Sequence, residues 1–111
     1  MTIKYQKPKT ARRKIQPAPG RPQWNLRLYI AGKTPQSVIA LNNLRLICQD
    51  QLKSNYSIEL IDILKHPRAA HDDQILAIPT LIRKLPLPQK NIIGDLSDRE
   101  SLLAGLDLMG R

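Results

Sequence analysis

The chain has little of the residue types on which thiol and stacking chemistry depend. Its 111 residues include one cysteine, Cys48, and no phenylalanine, and aromatic residues make up 4%. A single cysteine excludes an intramolecular disulfide and a pair of thiols that could exchange disulfides. No apolar run approaches the roughly 18 residues of a membrane-spanning helix, and no apolar signal-peptide stretch opens the chain. We therefore expect one cytoplasmic domain.

Acidic residues are missing from the first 22 positions. Residues 1–22 carry seven of the 18 lysines and arginines and four of the nine prolines. With almost no large apolar side chain, this segment is predicted to be a disordered basic extension of a domain at residues 23–111. The other 89 residues hold eleven basic and nine acidic residues, so most of the net charge of +9 belongs to the extension. A solubilising role is favoured over nucleic-acid binding, because Tyr5 is its one aromatic residue.

The best-defined pattern is a strand, a helix and a second strand. Residues 26–30 alternate apolar and polar side chains, which predicts a strand. Thr34 can cap a following helix, and Pro35 suits its first turn. Residues 56–64 are rich in branched side chains and predict a strand covered on both faces. A βαβ unit with parallel strands follows from this order.

The helix after Pro35 is predicted to bury one apolar stripe. The stripe has steps of three or four residues: Val38, Leu41, Leu44, Cys48 and Leu52. Because Cys48 lies within it, packing is favoured over chemistry for this thiol.

The sequence after Lys65 has weaker periodicity. Residues 68–76 are predicted to form a short helix, and residues 77–82 a strand with Pro79 near its start. Ser97 and Glu100 have the spacing of a capping box, which predicts the start of a final helix. Its apolar stripe is Leu102, Leu106 and Met109.

The candidate catalytic, cofactor and metal sites lack residues that such sites require. Lys33 and Thr34 resemble the end of a phosphate-binding loop, but its earlier glycine would stand at Arg27. A histidine and acid group near residues 66–73 has no cysteine beside it, so a solvated loop is favoured over a zinc site. Asp95 and Asp98 are explained as acids that complement a helix N-terminus. The sequence therefore predicts no catalytic residue, cofactor or metal.

The order of elements resembles the thioredoxin fold. In that family the proline at the position of Pro79 is cis, and the turn before the first long helix carries a CxxC motif. Here residues 32–37 form that turn and contain no thiol. The resemblance implies a retained scaffold without thiol–disulfide exchange.

Five sequence blocks carry a closer resemblance, to the KaiB family of circadian clock proteins. They lie between residues 24 and 108, at residues 28–35, 61–67, 75–81, 85–88 and 92–100. The resemblance implies an α/β, thioredoxin-like KaiB fold, with an N-terminal βαβ unit and a fold-switching C-terminal half. It also implies a homo-oligomer, dimer or tetramer, in equilibrium with a monomer, and favours the non-thioredoxin ground-state arrangement.

The family acts by binding rather than by catalysis. The resemblance implies a KaiC-type ATPase as partner, with KaiA and a clock output kinase as further ones. Partner-binding residues carried over from the family are Arg27, Tyr56, Pro86, Pro88 and Asp95. Residues carried over for the fold switch are Pro79, Gly105 and Asp107.

Two positions depart from the family pattern. Ile39 and Glu59 stand where clock KaiB proteins commonly have basic residues that help to hold KaiC. The chain also ends at Arg111 without the acidic tail of usual members and adds the basic extension. A divergent paralogue is indicated. Alternatives are a chaperone-like or stress-related interaction protein outside the core oscillator and a nucleic-acid binder acting through residues 1–22.

Overall fold

The computed structural model describes residues 23–53 and 55–108, together with the backbone of residues 12–15. Within this part of the chain lie five strands and three helices. Their bounds are β1 Arg12–Ile15, β2 Trp24–Ile30, α1 Pro35–Gln51, β3 Tyr56–Asp62, α2 Pro67–Asp72, β4 Thr80–Leu85, β5 Lys90–Ile93 and α3 Arg99–Gly105. The strands form one sheet in the order β1-β3-β2-β4-β5. None of the described helices has the length and apolar character needed to span a bilayer.

The predicted βαβ unit is confirmed. Strands β2 and β3 pair in parallel, with Leu26 opposite Ile58. The hydroxyl of Thr34 accepts a hydrogen bond from the Ser37 amide at 3.2 Å, and Pro35 occupies the first turn of α1. These two residues satisfy or remove amide groups that a helix start would otherwise leave without partners.

The larger core lies between the sheet and the pair α1 and α3. Alternate residues of β2 and β3 supply its floor, and apolar residues of both helices cover it. Cys48 is fully buried there, and burial raises the pKa of its thiol to about 12. Its predicted packing role is confirmed. The stripe prediction is wrong at Val38, which is 48% exposed, because the small residues Ser37 and Ala40 take the inner face of the first turns.

A smaller apolar cluster lies on the opposite face of the sheet. Tyr29, Ile61 and Ile82 point from three neighbouring strands toward Ala69 of α2. The helix is short, so it covers only part of this face. Polar side chains therefore share the face with the apolar ones.

Several predicted boundaries move. Helix α2 spans Pro67–Asp72 rather than residues 68–76, and β4 begins at Thr80 rather than at residue 77. The cap of α3 is Asp98, whose Oδ1 accepts from the Ser101 amide at 3.2 Å, so the prediction of Ser97 as the cap is wrong. The Ser97 amide instead donates to Asp95 Oδ1. Met109 lies outside the described residues.

The N-terminal extension differs from expectation at residues 12–15. They form β1, which pairs antiparallel with β3 from Arg12 opposite Ile61 to Ile15 opposite Ile58. A strand can be added through backbone hydrogen bonds alone, so low apolar content does not forbid it. The remainder of residues 1–22 lies outside the described residues.

The C-terminal half has the thioredoxin-like arrangement, so the expectation of the ground-state arrangement is wrong for this structure. Strand β4 pairs antiparallel with β2, and β5 pairs antiparallel with β4. Helix α3 then returns over the larger core, where Leu102 and Leu106 are buried. The physical reason is that the βαβ unit leaves apolar surface that these residues cover. The Ile78–Pro79 peptide is cis, as the thioredoxin resemblance implied.

Candidate partner-binding and switch site

Arg27 lies in the centre of the sheet on the face that α2 partly covers. Its Nε donates to Glu59 Oε1 at 2.7 Å, and Glu59 stands directly opposite it on β3. Its Nη1 donates to Asp73 Oδ2 at 2.8 Å. With a side chain only 16% exposed, Arg27 is bound by two carboxylates rather than presented at the surface.

Asp73 joins α2 to two strands of the sheet. Besides the bond from Arg27, its carboxylate accepts from the Tyr29 hydroxyl at 2.5 Å and from Lys84 Nζ at 2.9 Å. Burial alone would raise the pKa of Asp73, but hydrogen bonds from Tyr29, Lys84 and Arg27 outweigh it and lower the pKa. The residue immediately after α2 is therefore the anchor of that helix.

Arg83 is a buried cation on the other face of the sheet, beneath the end of α3. It is 2% exposed, and its guanidinium lies 5.5 Å from the centre of the Trp24 ring. Nη1 donates to the Leu106 carbonyl at 2.8 Å, and Nη2 donates to the Pro88 carbonyl at 2.7 Å. The Asp107 carboxylate lies 3.2 Å from Nη1.

These contacts make Arg83 the residue that links the segments of the C-terminal half. One side chain on β4 holds the loop between β4 and β5 through Pro88 and the end of α3 through Leu106. A cation at a helix C-terminus also interacts favourably with the helix dipole. The structure thus brings two predicted residues, Pro88 and Asp107, to one cation that the sequence analysis missed. The available signal was a charged residue two positions after Leu81, on the core-facing side of β4.

Gly105 and Asp107 have separate structural roles. A Cβ atom on Gly105 would lie 2.6 Å from Ile92 Cδ1 and 2.8 Å from Ile92 Cγ1, so the glycine permits close packing of α3 on β5. Asp107 has a φ of 60°, a left-handed conformation in which aspartate is better tolerated than most residues. Lys90 Nζ lies 3.8 Å from its carboxylate.

The other predicted residues form no hydrogen bond or ion pair with Arg83. Tyr56 is 2% exposed in the larger core. Pro86 is exposed on the β4–β5 loop beside Leu87, which is 74% exposed. Asp95 lies in the β5–α3 loop, where its carbonyl accepts from Asn43 Nδ2 at 3.0 Å. Hydrogen bonds from Ser97 lower the pKa of the Asp95 carboxyl.

A shallow cavity of about 220 Å³ lies beside Asp95. It is lined by residues 92–98, Ser101 and Leu102. Among the described residues, no three or more His, Cys, Asp or Glu side chains are grouped so that they could hold a metal ion. Three of the predicted binding residues remain accessible. Pro86 and Pro88 lie on the β4–β5 loop, and Asp95 lies on the β5–α3 loop.

The first prediction concerns Asp73→Asn. Because the folded-state pKa is lowered, the carboxylate stabilises the fold above the unfolded-state pKa of about 4, and this stabilisation is lost as the pH falls. We expect the variant to lose about 1–3 kcal/mol at pH 7 and to have a flatter stability profile below pH 5. Urea unfolding at several pH values measures both. The control is Asp72→Asn, and an Asp73→Asn profile parallel to that of the native chain would contradict the assignment.

The second prediction concerns Arg83→Met. The substitution keeps the apolar stem but leaves the buried Leu106 carbonyl and the partly buried Pro88 carbonyl without their donor, so we expect a loss of about 2 kcal/mol. Lys90→Met removes an exposed neighbour of Asp107 and is expected to change stability by less than about 0.5 kcal/mol. Denaturant unfolding compares the two variants. Equal losses would show that Arg83 acts only through the Asp107 charge.

The third prediction concerns the contact between Gly105 and Ile92. Gly105→Ala gains at most about 1 kcal/mol of helix propensity, because Gly105 is the last residue of α3, and it forces Ile92 to move. We expect the same substitution to be more favourable by about 1 kcal/mol or more in an Ile92→Ala background. A double-mutant cycle measured by unfolding gives this coupling free energy. Additive effects would mean that the close approach is unimportant.

Comparison with known proteins places the chain in a family. A family model described as the KaiB domain matches residues 27–108. The circadian clock oscillator protein KaiB of Prochlorococcus marinus is 55% identical over 84 residues, which cover 76% of this chain and 80% of that protein. The same protein of Synechococcus elongatus is 54% identical and is covered to 82%.

Solved structures show the fold. Mitochondrial thioredoxin 3 of Saccharomyces cerevisiae has a TM-score of 0.63 at 16% identity, with 78% of each chain covered. The N-terminal domain of Synechococcus elongatus SasA has a TM-score of 0.64 at 19% identity and covers 85% of this chain and 91% of its own. The fold is thioredoxin-like, and the chain belongs to the KaiB family of circadian clock proteins.

Proposed function

We propose that the chain is a non-enzymatic clock regulator that binds a KaiC-type ATPase in the thioredoxin-like arrangement. The observation that carries the proposal is the identity of 54–55% to clock KaiB proteins over 84 residues, which extends through the C-terminal half. The functional surface is the C-terminal half that Arg83 holds together, including the exposed loop of Pro86 and Pro88.

The likeness to the SasA N-terminal domain supports a shared partner surface. Two domains with one arrangement of strands and helices can present similar shapes to the same partner. The family resemblance links Gly105 and Asp107 to the fold switch. Both residues lie where α3 meets the sheet. We therefore place the proposed equilibrium between two folds at the α3 end of the molecule.

The chemistry of the chain favours binding over thiol exchange. The turn at residues 32–37 has no cysteine, and Cys48 is buried with its pKa raised to about 12. A thiol of this kind is almost fully protonated at neutral pH and cannot act as a nucleophile.

The two departures from the family pattern act differently. Ile39 is 43% exposed on α1, so a partner can reach it. Glu59 is buried and bound to Arg27, so it affects a partner by engaging the Arg27 guanidinium. Both changes weaken the expected attraction of this chain to the KaiC surface that clock KaiB proteins bind.

The fourth prediction tests the proposal by restoring a basic residue. Ile39→Arg is expected to bind the KaiC of Synechococcus elongatus about 5–10-fold more tightly, because complementary charge adds about 1 kcal/mol at such a surface. The matched control is Gln49→Arg, which adds the same charge at an exposed position farther along α1. Native mass spectrometry and biolayer interferometry measure the complex and its dissociation constant.

Competition provides the second part of this experiment. An excess of the SasA N-terminal domain is expected to displace the chain from KaiC. No association with KaiC, even for Ile39→Arg, or an equal gain for Gln49→Arg, would contradict the proposal. The same mass measurement reads the proposed dimer or tetramer in equilibrium with a monomer.

A further inference from the structure

Strand β1 adds an edge to the sheet that the KaiB domain itself does not contain. The family match covers residues 27–108, whereas β1 is Arg12–Ile15. In the sheet order β1-β3-β2-β4-β5, β3 would be the outer strand if β1 were absent. Residues 12–15 therefore cover an edge of the domain.

The two edges of the sheet differ in how readily a further strand could pair with them. Strand β5 has four residues, begins with Lys90 and alternates between partly buried and exposed positions. Short strands with an edge lysine are poor templates for a further strand. Strand β3 has seven residues, six of them buried and several branched and apolar, so its bare edge would be a good template.

The register of β1 on β3 places a basic position opposite an acidic one. Lys14 stands opposite Glu59, the buried acid of β3. Oppositely charged residues at facing positions stabilise an antiparallel pair. The segment that supplies β1 has seven basic residues and no acidic one. The β3 edge thus fits an extended basic segment in antiparallel orientation.

The pairing of β1 with β3 is shorter, and therefore weaker, than the pairing of β2 with β3. It spans four residues of β3, whereas the β2–β3 ladder spans seven. Fewer ladder positions hold β1 on β3 than hold β2 on β3, so β1 can leave the edge at a lower free-energy cost than β2 can leave β3.

We propose that the β3 edge is a strand-addition site that the chain keeps closed with its own residues 12–15. Residues 12–15 are an autoinhibitory strand, and the partner that replaces them is a basic, extended segment pairing antiparallel with residues 58–61. This inference goes beyond the proposed clock function, because it requires neither KaiC nor the thioredoxin-like C-terminal half.

Two neighbouring proline substitutions test the strand in the full-length chain. In an antiparallel pair, alternate residues direct their N–H groups toward the partner strand. Of Arg13→Pro and Lys14→Pro, one therefore removes a ladder hydrogen bond and the other places proline where an edge strand tolerates it. Both remove one positive charge, so each is the control for the other.

Amide hydrogen exchange by NMR reads the edge directly. In the disrupting variant, the β3 amides that face β1 are expected to lose at least about 10-fold in protection, while those that face β2 are unchanged. In the native chain, the β1-facing amides should exchange by local opening rather than by global unfolding. Exchange of both sets only by global unfolding in the native chain would overturn the proposal, whatever the stability of the variants.

A peptide of residues 9–18 tests whether the edge accepts an added strand. It is expected to bind the disrupting variant at least about 10-fold more tightly than the native chain, because the tethered strand competes at a high effective concentration. The same peptide with proline at whichever of positions 13 and 14 disrupts the strand should not bind, whereas the peptide with proline at the other position should bind. Equal affinity of the peptide for native and variant chains, or no binding to either, would overturn the proposal.

Discussion

The parallel pairing of β2 and β3 is the constraint on which the rest of the structure depends. It requires α1 to cross over the sheet, and the crossing covers the apolar floor formed by residues such as Leu26 and Ile58. Strand β4 adds beside β2, and β1 adds beside β3. Helices α2 and α3 cover what remains, each tied down by a charged side chain of the sheet. The network of Arg27 and Asp73 holds α2, and Arg83 holds the end of α3.

The sequence predicts the βαβ unit well because its signals are local. Thr34 and Pro35 define a helix start, and alternation or branched side chains define the two strands. The cap of α3 shows the limit of such signals. Ser97 and Asp98 are both good capping residues one position apart, and the hydrogen bond of the Ser97 amide to Asp95 decides between them. The strand at residues 12–15 was missed because its order comes from a distant strand edge rather than from its own composition.

The site was less predictable, since its contacts join residues far apart in the chain. Arg27 and Glu59 are separated by 32 positions, and only the register of two parallel strands makes them neighbours. Gly105 and Asp107 were identified by resemblance, and their physical roles depend on Ile92 and Arg83. The approach of α3 to β5 cannot be read from the glycine alone. Arg83 could have been noticed as a cation among apolar strand residues. The groups that accept its hydrogen bonds could not have been predicted from the sequence.

The position of Arg83 has a consequence for the synthesis of the protein. Its three acceptors, the carbonyls of Pro88 and Leu106 and the carboxylate of Asp107, all come later in the chain than the arginine itself. A nascent chain that ends before residue 106 has only the Pro88 carbonyl of these three acceptors to compensate the cation on burial. The βαβ unit can thus form during translation, whereas the C-terminal half can close only when almost the whole chain has left the ribosome.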